Sequence, residues 1–211
     1  ATVSKVAVLG GGSFGTVIAN LVAEKGIPAH LWVRTPETAD AINQSRVNSR
    51  YVPKLTLADS LLASSDIESV LSGAEVVFIA IPSSSFRSVL KQAKPFLNDS
   101  QLLISTTKGI EAGTFQLMSQ VMTQEAPNNP NGVISGPNLA KEIANRELTA
   151  TVIASAHEQV QNLVQTLLQS TYFRVYASSD TFGVELGGTL KNIYAIASGM
   201  DGAVVGAVTS D

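Results

Sequence analysis

Short runs of consecutive apolar residues alternate along the chain with longer stretches in which apolar positions recur every three or four residues. A run such as Val6-Ala7-Val8-Leu9 is apolar on both faces that a pleated strand presents, so it suits a strand covered from above and below. The longer stretches carry one apolar stripe and suit helices laid on such a sheet. This pattern predicts strands over Lys5–Leu9, Ala29–Val33, Glu75–Ile81, Gln101–Ser105, Gly132–Ser135, Thr149–Ala154 and Phe173–Tyr176. Between them it predicts helices over Ser13–Lys25, Pro36–Ser45, Ile67–Leu71, Ser84–Lys94, Thr114–Gln124, Pro137–Asn145 and His157–Gln169. The punctuation agrees. Gly26 follows the first helix, and Thr35-Pro36-Glu37 offers the second a cap, a proline with helical φ and a first-turn acid. Strands alternating with helices imply β-α-β units, so the expected fold class is α/β, a doubly wound, mostly parallel sheet.

From Thr181 to Met200 the pattern becomes that of one long, nearly uncharged helix, TFGVELGGTLKNIYAIASGM, apolar on more than one face. Such a helix needs neighbours on several sides. A boundary is therefore expected near Ser178–Asp180, with residues 1–179 as one domain and 180–211 as the first helix of a truncated all-α domain. The chain is 45% hydrophobic and only 15% charged, which excludes disorder for most of it. With 14 Lys+Arg against 17 Asp+Glu it lacks the basic footprint that nucleic acid or an anionic membrane surface selects. Zero cysteines exclude disulfides and thiolate chemistry, and His30 and His157 alone are too few for a histidine metal cluster. The start, ATVSKVAVLGGG, has neither the apolar length of a membrane span nor the basic opening of a signal peptide. A cytoplasmic protein with no stable membrane insertion is expected.

Candidate chemistry begins at GGGSFG, where Gly10, Gly12 and Gly15 have the G-x-G-x-x-G spacing. The spacing alone fits any tight strand-to-helix turn. Here it follows the first predicted strand and opens the first predicted helix, the setting of a Rossmann-type dinucleotide site. The first glycine makes the turn, the second admits the pyrophosphate, and the third lets helix pack on strand. Free N–H groups at the helix start face the phosphates. An Asp or Glu about 20 residues on would take the ribose 2′-OH of NAD. The second strand ends instead at Arg34, which suits a 2′-phosphate; NADP, or dual use with NADPH favoured, is expected.

Two lysines and one helix start complete the constellation. Lys108, in Ser105-Thr106-Thr107-Lys108-Gly109-Ile110-Glu111, falls just past the end of a buried strand, where doubly wound sheets bind ligands. Gly136, Pro137 and Asn138 form a strand-to-helix junction able to receive an anion. Lys191 is the lone charge between Leu186 and Met200, with Gly187 and Gly188 about one turn before it. It must reach water, find a partner or give up its proton, and beside a cofactor it could protonate an alkoxide.

The segments GGGSFGT, LWVR, Asn48…Tyr51-Val52-Pro53, Ala80-Ile81-Pro82-Ser83, STTKGIE, SGPNLAKEIA and ELGGTLKNIYAIASG occur in this order along the chain. Together they resemble the bacterial-type NAD(P)-dependent glycerol-3-phosphate dehydrogenases over essentially the whole sequence. The resemblance implies reversible hydride transfer between NAD(P)H and dihydroxyacetone phosphate, giving sn-glycerol 3-phosphate for glycerophospholipid synthesis. It implies Lys191 as the catalytic proton donor and acceptor, and Lys108 as a group touching substrate and cofactor. Gly136 and Asn138 are implied as substrate contacts; Ser13, Phe14, Arg34, Tyr51 and Ala140 as cofactor contacts beside the glycines. Asn138 departs from the Ser or Thr common in that family. The partner implied is a small phosphorylated substrate, and a homodimer is left open. On the residues alone, another β-hydroxyacid-type dehydrogenase and a non-catalytic dinucleotide-binding module remain alternatives.

Overall fold

The computed structural model describes residues 3–136 and 140–191. Its strands are β1 (Val6–Leu9), β2 (Ala29–Trp32), β3 (Leu61–Ser64), β4 (Val76–Ile79), β5 (Leu102–Ser105), β6 (Asn131–Ser135), β7 (Thr149–Ala154) and β8 (Phe173–Ser178). They form one eight-stranded sheet in the order β3-β2-β1-β4-β5-β6-β7-β8. Every neighbouring pair is parallel except β6 with β7. The helices are α1 (Ser13–Glu24), α2 (Pro36–Ser45), α3 (Ile67–Leu71), α4 (Ser83–Ala93), α5 (Met118–Glu125), α6 (Ala140–Ala144) and α7 (Glu158–Leu168), and residues 181–191 are also helical.

Strand alternation divides the apolar residues between two cores. Val6 and Val8 of β1, Val76 and Phe78 of β4, and Leu102 and Ile104 of β5 pack on one face with α1, α6 and α7. Ala7, Leu9, Val77, Ile79 and Leu103 pack on the other with α3, α4 and α5. This is why the central strands read as unbroken apolar runs. α2 begins as its sequence implies: Thr35 Oγ1 accepts from the Thr38 N–H at 3.3 Å, and Pro36 follows. Removing such a cap costs about 1 kcal/mol. No helix among the described residues is long and apolar enough to cross a membrane.

Two elements differ from the sequence expectation. The edge strand β3 was not expected; its Leu61 and Ala63 point inward while Leu62 is exposed. Its outer edge is closed by Asn43, whose side-chain amide donates to the Ala63 carbonyl and accepts from the Ala63 N–H, each at 2.8 Å. The helix expected over Thr114–Gln124 begins later, at Met118, because residues 110–117 turn back on themselves. Gly113 (φ 88°) and Phe115 (φ 58°) lie in the left-handed region, and the Glu111 N–H donates to the Gln116 carbonyl at 2.8 Å. Of the helix expected over Pro137–Asn145, residues 140–145 are described, and 140–144 form α6.

Candidate functional site

From β1 the chain goes outward to β2 and β3, then crosses back to place β4 on the other side of β1. Outside the carboxyl ends of β1 and β4 this switch opens a crevice, the place where such sheets hold ligands. Gly10 leaves β1 with φ +115°, and a Cβ there would collide with the Ala80 carbonyl after β4. A Cβ on Gly15 would strike the Gly10 carbonyl. The fold itself therefore requires these two glycines. Gly12, the N-cap of α1, is different: nothing lies within 4 Å of where its Cβ would stand. The protein leaves that space open beside the start of α1. The Ser13, Phe14 and Gly15 N–H groups precede the first intrahelical bond, from the Thr16 N–H to the Gly12 carbonyl at 3.0 Å. A pyrophosphate fits this cradle in shape and in charge.

The crevice continues as a cleft of about 1000 Å³ across the ends of β1, β2 and β4. Gly10, Gly12, Ser13, Phe14, Gly15, Arg34 and Tyr51, all expected from sequence, line it together. Arg34 is exposed at its β2 end, with Glu37 in the same wall. Asn48 and Arg50 were not singled out as site residues. Asn48 is buried, and its amide donates to the Gly11 carbonyl at 2.8 Å and the Thr16 hydroxyl at 2.9 Å, tying residues 48–52 to the glycine loop. Arg50 stacks over the Tyr51 ring at 5.2 Å and lines the cleft mouth. The one signal in the sequence was their place in Asn48…Tyr51-Val52-Pro53.

Thr106 and Thr107 carry the cleft wall from β4 towards β5. The Thr106 N–H donates to the Ile79 carbonyl at 3.0 Å, and the Thr107 hydroxyl to the Ile81 carbonyl at 2.6 Å. Lys108 follows them, half-buried, and burial pushes its ammonium pKa down. Gly136 follows β6 against Thr151, whose hydroxyl donates to the Ser135 carbonyl at 2.8 Å. Ala140 is buried, and its methyl belongs to the core with α1 rather than to the cleft wall. Asn138 and Pro137 lie outside the described residues.

The helix at 181–191 begins beside the Asn131 end of the sheet, where Ser155 bonds both Ser178 and Asn131. Asp180 caps it, accepting from the Gly183 N–H at 2.9 Å. By Gly188 it has reached the opposite end of β6, where a Cβ would stand 2.6 Å from Ser135 Oγ. Lys191, exposed, comes three residues later, about 4.5 Å further along the axis. It therefore stands at the same sheet edge as Gly136. Glu185 ties the helix to the first turn of α5: its carboxylate accepts from the Ser119 N–H at 3.1 Å and from the Ser119 hydroxyl. Glu185 is buried, and desolvation pushes its carboxyl pKa up against the lowering by these bonds. The reasoning that picked out Lys191, a charge in an uncharged helix, reaches Glu185 as well.

A family profile described as the N-terminus of NAD-dependent glycerol-3-phosphate dehydrogenase matches residues 5–161. The glycerol-3-phosphate dehydrogenase [NAD(P)+] of Alcanivorax borkumensis is 52% identical over 198 residues, 94% of this chain and 58% of the relative. That of Acinetobacter baumannii strain SDF is 51% identical over 202 residues, 96% of this chain and 56% of the relative. A crystal structure of glycerol-3-phosphate dehydrogenase from Coxiella burnetii superposes with a TM-score of 0.88 at 36% identity, covering 93% of this chain and 60% of that one. The chain thus spans a little over half the length of the curated relatives it matches. With this match to its N-terminal part, the chain belongs to the NAD-dependent glycerol-3-phosphate dehydrogenase family.

Proposed function

We propose that this chain supplies the dinucleotide-binding half and the proton donor of an enzyme that interconverts dihydroxyacetone phosphate and sn-glycerol 3-phosphate with NAD(P)H, feeding glycerophospholipid synthesis. The observation that carries the reading is a cleft with an open glycine cradle whose sheet edge also bears two lysines, Lys108 and Lys191. Binding a nucleotide needs neither lysine; reducing a carbonyl needs a proton source. In this reading residues 1–179 form the Rossmann-type domain and 180–211 open a helical substrate-binding domain. The enzyme is expected in the cytoplasm, with a homodimer as its candidate assembly.

When bound, the nicotinamide cofactor supplies or takes up the hydride. The N–H groups at the start of α1 and the space beside Gly12 hold the pyrophosphate, and Arg34 favours a 2′-phosphate, hence NADPH. Phe14 and Tyr51 border the cofactor along the cleft wall. Ala140, its methyl in the core, can offer only backbone to a ligand. Gly136 and Asn138 hold the substrate phosphate, and Lys108 faces both substrate and cofactor. Lys191 stabilises the negative charge that develops on the carbonyl oxygen and delivers the proton there; in the reverse direction it takes the proton from the alcohol. A half-buried Lys108 strengthens the field at the reacting oxygen, because water screens it less.

Initial rates of NADPH oxidation by the full-length protein test the proposal. Turnover with dihydroxyacetone phosphate, and not with a 3-oxo acid, is the expected result. Turnover with a carboxylate substrate alone would select a β-hydroxyacid-type dehydrogenase, and NADPH binding without turnover a non-catalytic module.

A further inference from the structure

Arg87 stands on α4 with its side chain 23% exposed, outside the cleft. Its Nε and Nη2 donate to the two oxygens of Glu111 at 2.8 and 3.0 Å, a bidentate pair. Nη2 also donates to the Gln116 side chain at 2.8 Å and to Gln124 at 2.9 Å, and Nη1 to Glu125 at 2.8 Å. Had Arg87 served only to join α4 to α5, Glu125 and Gln124 would have sufficed. Glu111 and Gln116 instead belong to the turn that follows Lys108. The upstream side of Lys108 is held by the threonine bonds to the end of β4. Immediately downstream, Gly109 (φ +115°) lies against Ser83 of α4, with a Cβ there 3.4 Å from Ser83 Oγ. Between these holds the turn is closed by local bonds, the Glu111 N–H to the Gln116 carbonyl at 2.8 Å and the Phe115 N–H to the Glu111 carbonyl at 2.9 Å, and Arg87 is what joins that closed turn to α4 and α5. The turn contains Gly113, Phe115 is 76% exposed, and an isolated bridge from Ile110 to Leu117 closes it.

We propose that Arg87 is a positioning residue for Lys108, its clamp on Glu111 and Gln116 fixing the turn from which that lysine reaches the cleft edge. The proposal rests on the reading of Lys108 as a group that meets substrate and cofactor. It makes Arg87 a determinant of turnover although it touches neither.

The test uses full-length protein carrying Arg87→Met, Arg87→Lys or Glu111→Gln, with two readouts. The first is acetylation of Lys108 by limiting acetic anhydride, read by peptide mass spectrometry against the exposed Lys54. Arg87→Met is expected to raise the relative labelling of Lys108 several-fold, with Glu111→Gln following it and Arg87→Lys between it and wild type. The second is steady-state turnover with dihydroxyacetone phosphate. A misplacement near 1 Å lowers kcat on the order of 10²-fold, so Arg87→Met should fall by about 10–100-fold while the Kd for NADPH stays within about threefold. Unchanged Lys108 labelling in folded Arg87→Met and Glu111→Gln proteins overturns the proposal, as does a kcat equal to wild type. If Arg87→Met does not fold, Glu111→Gln decides. A wild-type protein without turnover would sink the functional reading, and the labelling would then decide the role of Arg87 by itself.

Discussion

Gly10 and Gly12 stand two residues apart and are expected to fail in different ways. Alanine at Gly10 forces φ +115° on a residue with a Cβ and drives that Cβ into the Ala80 carbonyl. Strain of this kind costs about 1–3 kcal/mol before the collision is added, so denaturant unfolding should show a clearly weakened fold. Alanine at Gly12 meets no protein atom within 4 Å. Stability should change by no more than about 1 kcal/mol, the loss of a glycine N-cap, whereas NADPH affinity falls at least about tenfold because the methyl occupies the pyrophosphate's approach. The opposite pattern would move the cofactor away from Gly12. Arg34 tests the other end of the cleft. A hydrogen bond to a charged group contributes about 1.5–3 kcal/mol, so Arg34→Asp should weaken NADPH roughly 10–150-fold and NADH far less. Equal losses for both cofactors in a titration would remove Arg34 from the 2′-phosphate.

At the scale of elements, the helix at 181–191 is held by Glu185 on Ser119 and by the close fit of Gly188 on Ser135. The buried Glu185 carboxyl has a raised pKa, so the folded protein binds its proton more tightly than the unfolded chain does. Its contribution to stability is then fully present below the ordinary carboxylate pKa and is lost as pH rises through the raised value. Glu185→Gln should remove that loss, giving a flatter Tm than wild type as pH rises above the ordinary carboxylate value of about 4.5. A wild-type Tm with the same slope as the variant would mean that Glu185 does not hold its proton more tightly. Much of this architecture was legible in the chain, and physical reasons separate what was from what was not. β1, β4 and β5 are buried on both faces, and β2 at every position but His30, so their apolar runs are long enough to read. β3 is an edge strand of four residues with Leu62 exposed, and Asn43, a side chain distant in sequence, completes its hydrogen bonds. The start of α5 was misplaced because Phe115 takes a left-handed conformation that no local pattern announces. The cleft residues set by the glycine loop were readable from spacing. Arg87, Asn48 and Glu185 bond to loops and helices distant in sequence, so spacing alone does not reveal them.

For the whole molecule, two carboxylates shape stability in opposite directions. Glu111 is pulled down to about 2 from an ordinary value near 4.5, chiefly by its bonds to Arg87 and then by Thr114. Its contribution is present above the ordinary value and is lost as pH falls towards about 2, the reverse of Glu185. Glu111→Gln should therefore lower Tm near neutrality and narrow its gap from wild type in acid. A gap that persists unchanged near pH 2 would show that the charge of Glu111 does not matter. The candidate site residues gather at one end of the sheet, with the glycine cradle beyond β1, Lys108 beyond β5, and Lys191 brought to the end of β6 by a helix crossing from the other side. The measurement that tests this arrangement most directly is kcat of the full-length Lys191→Ala protein for dihydroxyacetone phosphate reduction, read beside its Kd for NADPH. The proposed role of Lys191 as proton donor predicts a fall in kcat on the order of 10²–10⁴-fold with cofactor affinity nearly unchanged. A folded variant that turns over at close to the wild-type rate would contradict the account.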